Sequence, residues 1–391
     1  MISFENAINI ILDKAFELTI EQIDIKNALN RIIATDVVSD IDMPPFDKSA
    51  MDGYACKYED ISNSLEVIEV IPAGKKPEHI INKGQCSKIM TGAMIPQGAD
   101  CVLMVEQTQL IDDNKIRFIE NKTNKNICLK SEDISKGDKL ILKGTILKPQ
   151  HIAILATTGY TKPFVYKQPR VGILSTGDEL VEPNIIPAIS QIRNSNSYQL
   201  YAQVNATGSI SNYMGIAKDD RTNISNILKN TITNNDVILL SGGVSMGDYD
   251  LVPEILEQLN VKLLFQKIAI QPGKPTVFGI LENKFIFGLP GNPVSSFIIF
   301  ELLVKPLLYK MMGNNLTTKN IKMPMGIDYF RNKSDRKAFI PVIISTEGTI
   351  LPVEYHGSAH LNSLCNTDGL ISIPIGQNQL NKGDIVNVRL I

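Results

Sequence analysis

Apolar residues at the start of the chain recur at helical spacing: Phe4, Ala7, Ile8, Ile11, Leu12 and Phe16 share one face, with Ser3 placed as a cap. The spacing predicts a helix over 4–16, a shorter one over 25–29 and a strand-like run over 31–38. Pro44-Pro45 then ends any helix, and Asp52-Gly53 supplies a turn. From about 54 to 147 the apolar runs are short (65–71, 87–90, 101–105, 115–119 and 139–146), and Gly, Pro and Asn punctuate them, which predicts a small, mostly β unit. A further short helix is expected over 150–159, rejoining the N-terminal segment.

After Pro169 the pattern changes. Strands are expected over 171–175, 209–216, 236–240, 263–269, 276–281 and 285–289, and helices over 197–204, 221–231, 252–259 and 293–312. This alternation predicts a mostly parallel sheet with helices on both faces. The tail, 316–391, returns to short strands such as 338–344 and 385–391, suggesting a terminal β-barrel. The expected fold class is α/β plus β, multidomain. Its units are 1–42 with 141–168 (helical linker), 43–140 (β), 169–314 (α/β) and 315–391 (β-barrel).

Composition narrows the function classes. With 391 residues there is room for several cores, roughly 2.6 average domains. The 39 basic and 41 acidic residues leave a net charge of −2, so there is no global pull toward nucleic acid or a membrane. No apolar run approaches the length of a membrane span, since Glu301 interrupts the longest candidate, and the first residues lack signal-peptide character. Five scattered cysteines without a CxxC pair suit a reducing cytoplasm and exclude a disulfide scaffold or thiolate zinc site. The expected setting is cytoplasmic.

The chemistry concentrates in the α/β unit. Four polar, glycine- or acid-bearing segments each follow an expected strand: Thr176-Gly177-Asp178-Glu179, Lys218-Asp219-Asp220, Ser241-Gly242-Gly243-Val244-Ser245 and Pro290-Gly291-Asn292-Pro293. If those strands are parallel, all four loops lie along one edge, where open α/β sheets bind ligands. Glycine lets backbone N–H groups approach an anion, and Pro293 opens a long helix. Carboxylates at the same edge (Glu179, Asp219, Asp250) repel phosphate unless a hard cation intervenes, so a phosphorylated ligand bridged by Mg2+ fits the mixture. Taken singly, each segment has a structural reading: Asp178 or Asp219 as a helix cap, the Gly242-Gly243 pair as a tight turn. Lys267 and Lys274, on or near the turn 271–275, are surface charges or neutralise phosphate or oxyanion charge.

The N-terminal β region has its own polar concentration, Asp47, Ser49, Asp52, Tyr54, Thr91-Gly92 and Glu132-Asp133, which physics alone assigns to turns. His356 and His360 lack an adjacent acidic third ligand and are assigned no metal.

The segments 44–55 (PPFDKSAMDGYA), 89–93 (IMTGA), 132–134 (EDI), 175–180 (STGDEL), 241–245 (SGGVS), 272–275 (PGKP) and 289–293 (LPGNP) together resemble the molybdopterin molybdenumtransferase (MoeA) family, related to the C-terminal domain of gephyrin. The resemblance covers essentially the whole chain. It implies a central molybdopterin-binding α/β module and an elongated homodimer whose cleft combines that module with the partner's β domain. Asp52, Thr91 and Asp133 would then face the other chain's Glu179, Asp219 and Asp250. The implied reaction takes adenylylated molybdopterin and molybdate, with Mg2+, and releases AMP to give molybdenum cofactor. A molybdopterin adenylyltransferase is an implied partner. By the same resemblance, Thr176, Gly177, Asp178, Ser241, Gly242, Gly243, Ser245, Lys274, Pro290, Gly291 and Asn292 bind the pterin substrate. Glu179, Asp219 and Asp250 arrange Mg2+, and Lys267 with Ser358 and Ser363 attracts molybdate.

The chain departs from the family pattern at Gln271, where many members have lysine, at Cys128 and Pro341, where arginine is common, and at Ser131, commonly glycine. Arg336 or Lys337 are candidates to replace the lost charge. The alternatives are a molybdopterin adenylyltransferase, against which the 44–55 motif and the two β units argue, and a non-catalytic carrier or scaffold of the pterin.

Overall fold

The Ser3 hydroxyl accepts the Asn6 N–H at 3.1 Å and starts α1 (Phe4–Lys14). In the computed structural model, which describes residues 1–243, 252–316, 320–353 and 361–391, this helix ends before the expected position 16 because Ala15 turns extended. Its fully buried Ala7 and Ile11 pack into the core of the central sheet rather than against residues 25–38.

The run 31–38 is a strand only at Val37–Val38. Ile32 and Ile33 instead make single bridges to Ile146 and Val165, because each faces a different stretch of chain. Ala28, Ile33, Val37, Ile141, Leu155 and Val165 share one small core, which brings α2 (Pro149–Thr157) back to the N-terminal segment.

Between these stretches lies a six-stranded mixed sheet. Its strands are β1 (Gly53–Cys56), β2 (Ser64–Ile71), β3 (Gln85–Ile89), β4 (Cys101–Met104), β5 (Thr108–Asp112) and β6 (Lys115–Phe118), ordered β4-β1-β3-β2-β6-β5. Cys56 stands opposite both Cys86 and Cys101, so three cysteines line up across β3, β1 and β4.

The α/β unit contains β7 (Arg170–Thr176), α3 (Ser195–Ala206), β8 (Ile210–Ala217), α4 (Arg221–Asn234), β9 (Val237–Ser241), α5 (Val252–Gln258), β10 (Lys262–Phe265), β11 (Ile270–Gln271), β12 (Val277–Leu281) and β13 (Lys284–Leu289). Its sheet runs β8-β7-β9-β13-β12-β10; the first four strands are parallel and the last two pair antiparallel. The near-continuous apolar runs of β7, β9 and β13 are what a sheet buried on both faces requires. Val171, Ile173, Val237, Leu239 and Phe287 face α1, α3 and the last helix, whereas Leu174, Ile238, Leu240 and Ile286 face α4 and α5.

The expected helix over 293–312 is one helical run in three parts: α6 (Pro293–Ile299), a π segment (Phe300–Val304) and α7 (Lys305–Met311). Pro306 has no N–H to offer the Leu302 carbonyl, which accounts for the departure from α geometry just before it.

The tail forms a third mixed sheet from β14 (Asn320–Pro324), β15 (Lys337–Ile344), β16 (Ile350–Pro352), β17 (Gly369–Ile373) and β18 (Ile385–Leu390), ordered β11-β15-β17-β18-β14 with β16 beside β15. The expected strand over 263–269 ends early, at Phe265, as β10 of the α/β sheet; β11 begins just beyond the expected range, at Ile270, and joins the C-terminal sheet. No helix among the described residues is long and apolar enough to cross a membrane.

Candidate functional site

Because β8, β7, β9 and β13 are parallel neighbours, the loops 176–179, 218–220, 241–243 and 290–293 all open on one edge of the sheet. Two antiparallel steps, β13 to β12 and β12 to β10, bring the end of β10 to the same edge. The turn carrying Lys267, Gln271 and Lys274 therefore emerges beside Pro290.

A cleft of about 220 Å³ lies along this edge. Of the sequence-predicted residues, Thr176, Glu179, Ser241, Gly242, Gly291 and Asn292 line it. Gly177, Asp178, Asp219, Gly243 and Pro290 sit on the same loops. Lys274 is exposed on the neighbouring turn and Lys267 is half-buried there. Ser363 lies on the 3-10 turn Leu361–Leu364, whose Leu364 packs against the core that holds Val294 and Ile298 of α6. Ser245, Asp250 and Ser358 fall outside the described residues, as do His356 and His360.

Local geometry explains the glycines. Gly242 and Gly243 have φ of +94° and +65°, and a Cβ on them would stand 2.6 Å from the Thr176 carbonyl and 2.8 Å from its hydroxyl. Side chains are thus excluded where β9 leaves the sheet, and the backbone closes on Thr176. At Gly177 the space that a Cβ would fill is taken by the Glu179 carboxylate, 2.5 Å away. The Asp219 N–H donates to Asp178 Oδ1 at 3.2 Å, joining two adjacent loops. It is Asp220, not Asp219, that caps α4, accepting the Asn223 N–H at 2.7 Å.

Several residues that sequence reasoning passed over belong here. Asn194 caps α3 by accepting the Ser197 N–H; it also accepts from the Ser175 hydroxyl at 3.1 Å and donates to Tyr213 Oη at 3.1 Å. Tyr213 Oη donates to Glu182 at 2.6 Å; desolvation and then this carboxylate hold the phenol well above its ordinary pKa. Asn196 is nine-tenths buried and donates from Nδ2 to Ser241 Oγ at 2.8 Å and to the Gly291 carbonyl at 2.7 Å, tying the 241–243 and 290–293 loops together. Arg193 brings a cation to the cleft wall. The available signal was the run Arg193-Asn194-Ser195-Asn196-Ser197 at a helix start, which reads as capping alone.

The N-terminal polar residues form a separate group. Asp52 Oδ1 accepts both the N–H and the hydroxyl of Thr91, and Asp47 accepts the Lys130 N–H at 2.7 Å. The Asp133 N–H donates to the Met43 carbonyl at 3.0 Å. Among the described residues, nothing from 43–140 lines the sheet-edge cleft.

The departures also have places. Ser131 holds φ of +61°, the left-handed backbone that glycine adopts freely. Cys128 is half-buried opposite Lys48. Lys337 is already engaged, 2.7 Å from Glu5 and over the Phe4 ring, and Arg336 reaches the Ile270 carbonyl at 3.3 Å.

Residues 2–159 match the family described as MoeA N-terminal region (domain I and II), 172–310 the probable molybdopterin binding domain, and 327–391 the MoeA C-terminal region (domain IV). The chain is 33% identical over 400 residues to a molybdopterin molybdenumtransferase of Staphylococcus aureus, covering 100% of this chain and 95% of the relative. It is 34% identical over 402 residues to one of Staphylococcus epidermidis, with the same coverage. A crystal structure of the molybdopterin biosynthesis MoeA protein from Pyrococcus horikoshii superposes with a TM-score of 0.85 at 30% identity, covering 100% of both chains. Full-length identity and a shared multidomain fold of mixed sheets lead to one conclusion: the chain belongs to the molybdopterin molybdenumtransferase (MoeA) family of molybdenum cofactor biosynthesis.

Proposed function

We propose that the protein inserts molybdate into adenylylated molybdopterin and releases AMP, giving molybdenum cofactor. The observation that carries this reading is the convergence of four ligand loops and the lysine-bearing turn on one edge of the parallel strands, in a chain related to these transferases over its whole length. Backbone N–H groups of the glycine loops and the start of the 293–311 helical run hold the phosphate of the pterin moiety, assisted by Lys274. Lys267 and the Ser358/Ser363 segment draw in molybdate, an oxyanion, as substrate.

Mg2+ is an implied cofactor. Among the described residues no three carboxylate, imidazole or thiolate groups converge. Mg2+ takes one or two carboxylates together with substrate phosphates and water, which the oxygen donors of Glu179 and Asp219, on adjoining loops, fit. Asp250 completes the proposed set. When bound, the cation neutralises charge on the phosphoanhydride as the bond to AMP breaks.

The proposed arrangement has four units, 1–42 with 141–168, 43–140, 169–314 and a C-terminal barrel, 315–391, in a cytoplasmic homodimer. Each cleft is completed by Asp52, Thr91 and Asp133 of the partner chain. This is supported by the absence of those residues from the lining of the cleft in their own chain.

The test is AMP release from adenylylated molybdopterin, with and without molybdate at fixed Mg2+. Molybdate-dependent release that collapses in Glu179→Ala is expected. Tight binding without release at any molybdate concentration overturns the reading and leaves a carrier.

A further inference from the structure

The Gly291 carbonyl can only accept a hydrogen bond, so the group of Asn196 that faces it at 2.7 Å must be the amide nitrogen. This fixes the side chain's orientation without recourse to a ligand. The other end of the amide, Oδ1, is then a buried acceptor with no donor among the described residues. The Thr176 hydroxyl, on the same cleft, is likewise buried and unpartnered, and Thr176 is only 3% exposed. Buried polar atoms in folded proteins are almost always paired, so two orphans on one cleft ask for a ligand that pairs them.

The chemistry of the orphans restricts that ligand. An amide oxygen cannot donate, and a phosphate or molybdate oxygen set against it would place lone pairs in contact. Leu180, Ile192 and Pro293 give the same cleft an apolar part, beside the charged Glu179 and Arg193. Apolar lining together with an unpaired acceptor suits a heterocycle that offers an N–H.

We propose that Asn196 reads the exocyclic amine of a heterocycle bound in this cleft, its Oδ1 accepting the amine N–H beside the Thr176 hydroxyl. This rests on the transferase reading above and deepens it by assigning the amino edge of the heterocycle to the Asn196 end of the cleft, with the anions toward Lys274. Both ends of adenylylated molybdopterin carry such an amine, on the pterin and on the adenine, and the experiment separates them.

Four probes are titrated against the full-length protein by calorimetry: AMP and IMP, then pterin and lumazine. In each pair the second member replaces the amine by an oxo group, turning the donor into an acceptor. Preference for the amino member by about tenfold or more is expected in one pair, and that pair identifies the end that is read. In Asn196→Ala the preference falls to near unity. In Ser241→Ala, which removes one Nδ2 acceptor but leaves the Gly291 contact, both members weaken alike and the preference persists. Equal affinity within both pairs for the wild-type protein, or no binding of any probe, overturns the proposal whatever the variants do. So does an Asn196→Ala protein that loses affinity but keeps the preference, which would make Asn196 a structural bridge only. Discrimination without molybdate-dependent AMP release leaves this inference standing while the transferase reading falls, and release without discrimination does the reverse.

Discussion

The carboxylate of Asp52 accepts two hydrogen bonds from a single residue, the backbone N–H of Thr91 at 2.6 Å and its hydroxyl at 2.8 Å. The backbone bond first, and the hydroxyl second, hold the Asp52 pKa below its ordinary value. A depressed carboxylate contributes stability above its unfolded pKa and loses that contribution as pH falls through the folded value. In Thr91→Val the backbone donor remains, so the Asp52 pKa is expected to move upward but to stay below the free value. An NMR titration of the Asp52 carboxyl checks this. An unchanged midpoint in the variant would show that the hydroxyl contributes nothing.

Gly242→Ala forces a Cβ into a left-handed backbone and toward the Thr176 carbonyl. A non-glycine residue in such a region costs about 1–3 kcal/mol. Denaturant unfolding should show a loss of that order, together with weaker binding of the pterin substrate. Gly74, which also has positive φ but no neighbour within 4 Å of its Cβ position, should lose stability on substitution without affecting binding.

Glu301 lies in the π segment with its side chain 8% exposed, 2.6 Å from Lys305 and within reach of Gln203 at 3.0 Å. Removing one partner of a buried ion pair costs about 3–5 kcal/mol because the other charge is left uncompensated. Glu301→Ala is therefore expected to lower unfolding stability by roughly that amount, with Lys305 only partly buried and the lower end more apt. Glu301→Ala combined with Lys305→Met should recover part of the loss. Failure of the double variant to recover would mean that the partly buried Arg389 beside Glu301, Gln203 or packing, rather than Lys305, dominates.

Cys56 and Cys101 bring their sulfurs to 3.6 Å in the buried β1–β4 pair, and the bond to Cys101, then burial, raise the Cys56 pKa. Burial likewise pushes Cys86 up to about 12. Thiolates are the reactive form, so at pH 8 in native conditions iodoacetamide should label exposed Cys365 first and leave these three untouched until the chain unfolds. Peptide mapping by mass spectrometry reads the order directly.

If two chains complete each cleft, Asp52→Ala and Glu179→Ala proteins are each inactive alone. Mixed after reversible dissociation, they should regain partial AMP release, since a mixed dimer keeps one cleft free of both substitutions. No recovery in exchanged dimers would place both residues on the same cleft of one chain.

The sheet edge was legible in the sequence because each buried strand of the α/β unit is a short apolar run that stops at a polar, turn-forming segment. Parallel order then follows from the intervening helices. Asn196 was not legible, because asparagine at a helix start has a sufficient local role, and only the fold brings the Gly291 carbonyl to its amide. The early end of the 263–269 strand, and the start of β11 just after it, were hidden for a similar reason. The apolar run gives no sign of where one sheet is left for the other, and what separates the two strands is the choice of partner, β12 for one and β15 for the other. The π segment before Pro306 could be placed by the proline, but its effect, a buried Glu301 facing α3, depends on tertiary packing.

The two residues of β11 belong to the α/β unit by chain order and to the C-terminal sheet by pairing, with Ile270 and Gln271 lying beside Lys337 and Ala338. The last segment is consequently not interchangeable cargo. A chimera that took residues 315–391 from a relative would have to match a foreign β15 to this short edge, and any mismatch would be felt at once by the turn that carries Lys267 and Lys274. Recombination within this lineage should therefore keep the turn and the C-terminal sheet together, as one inherited block.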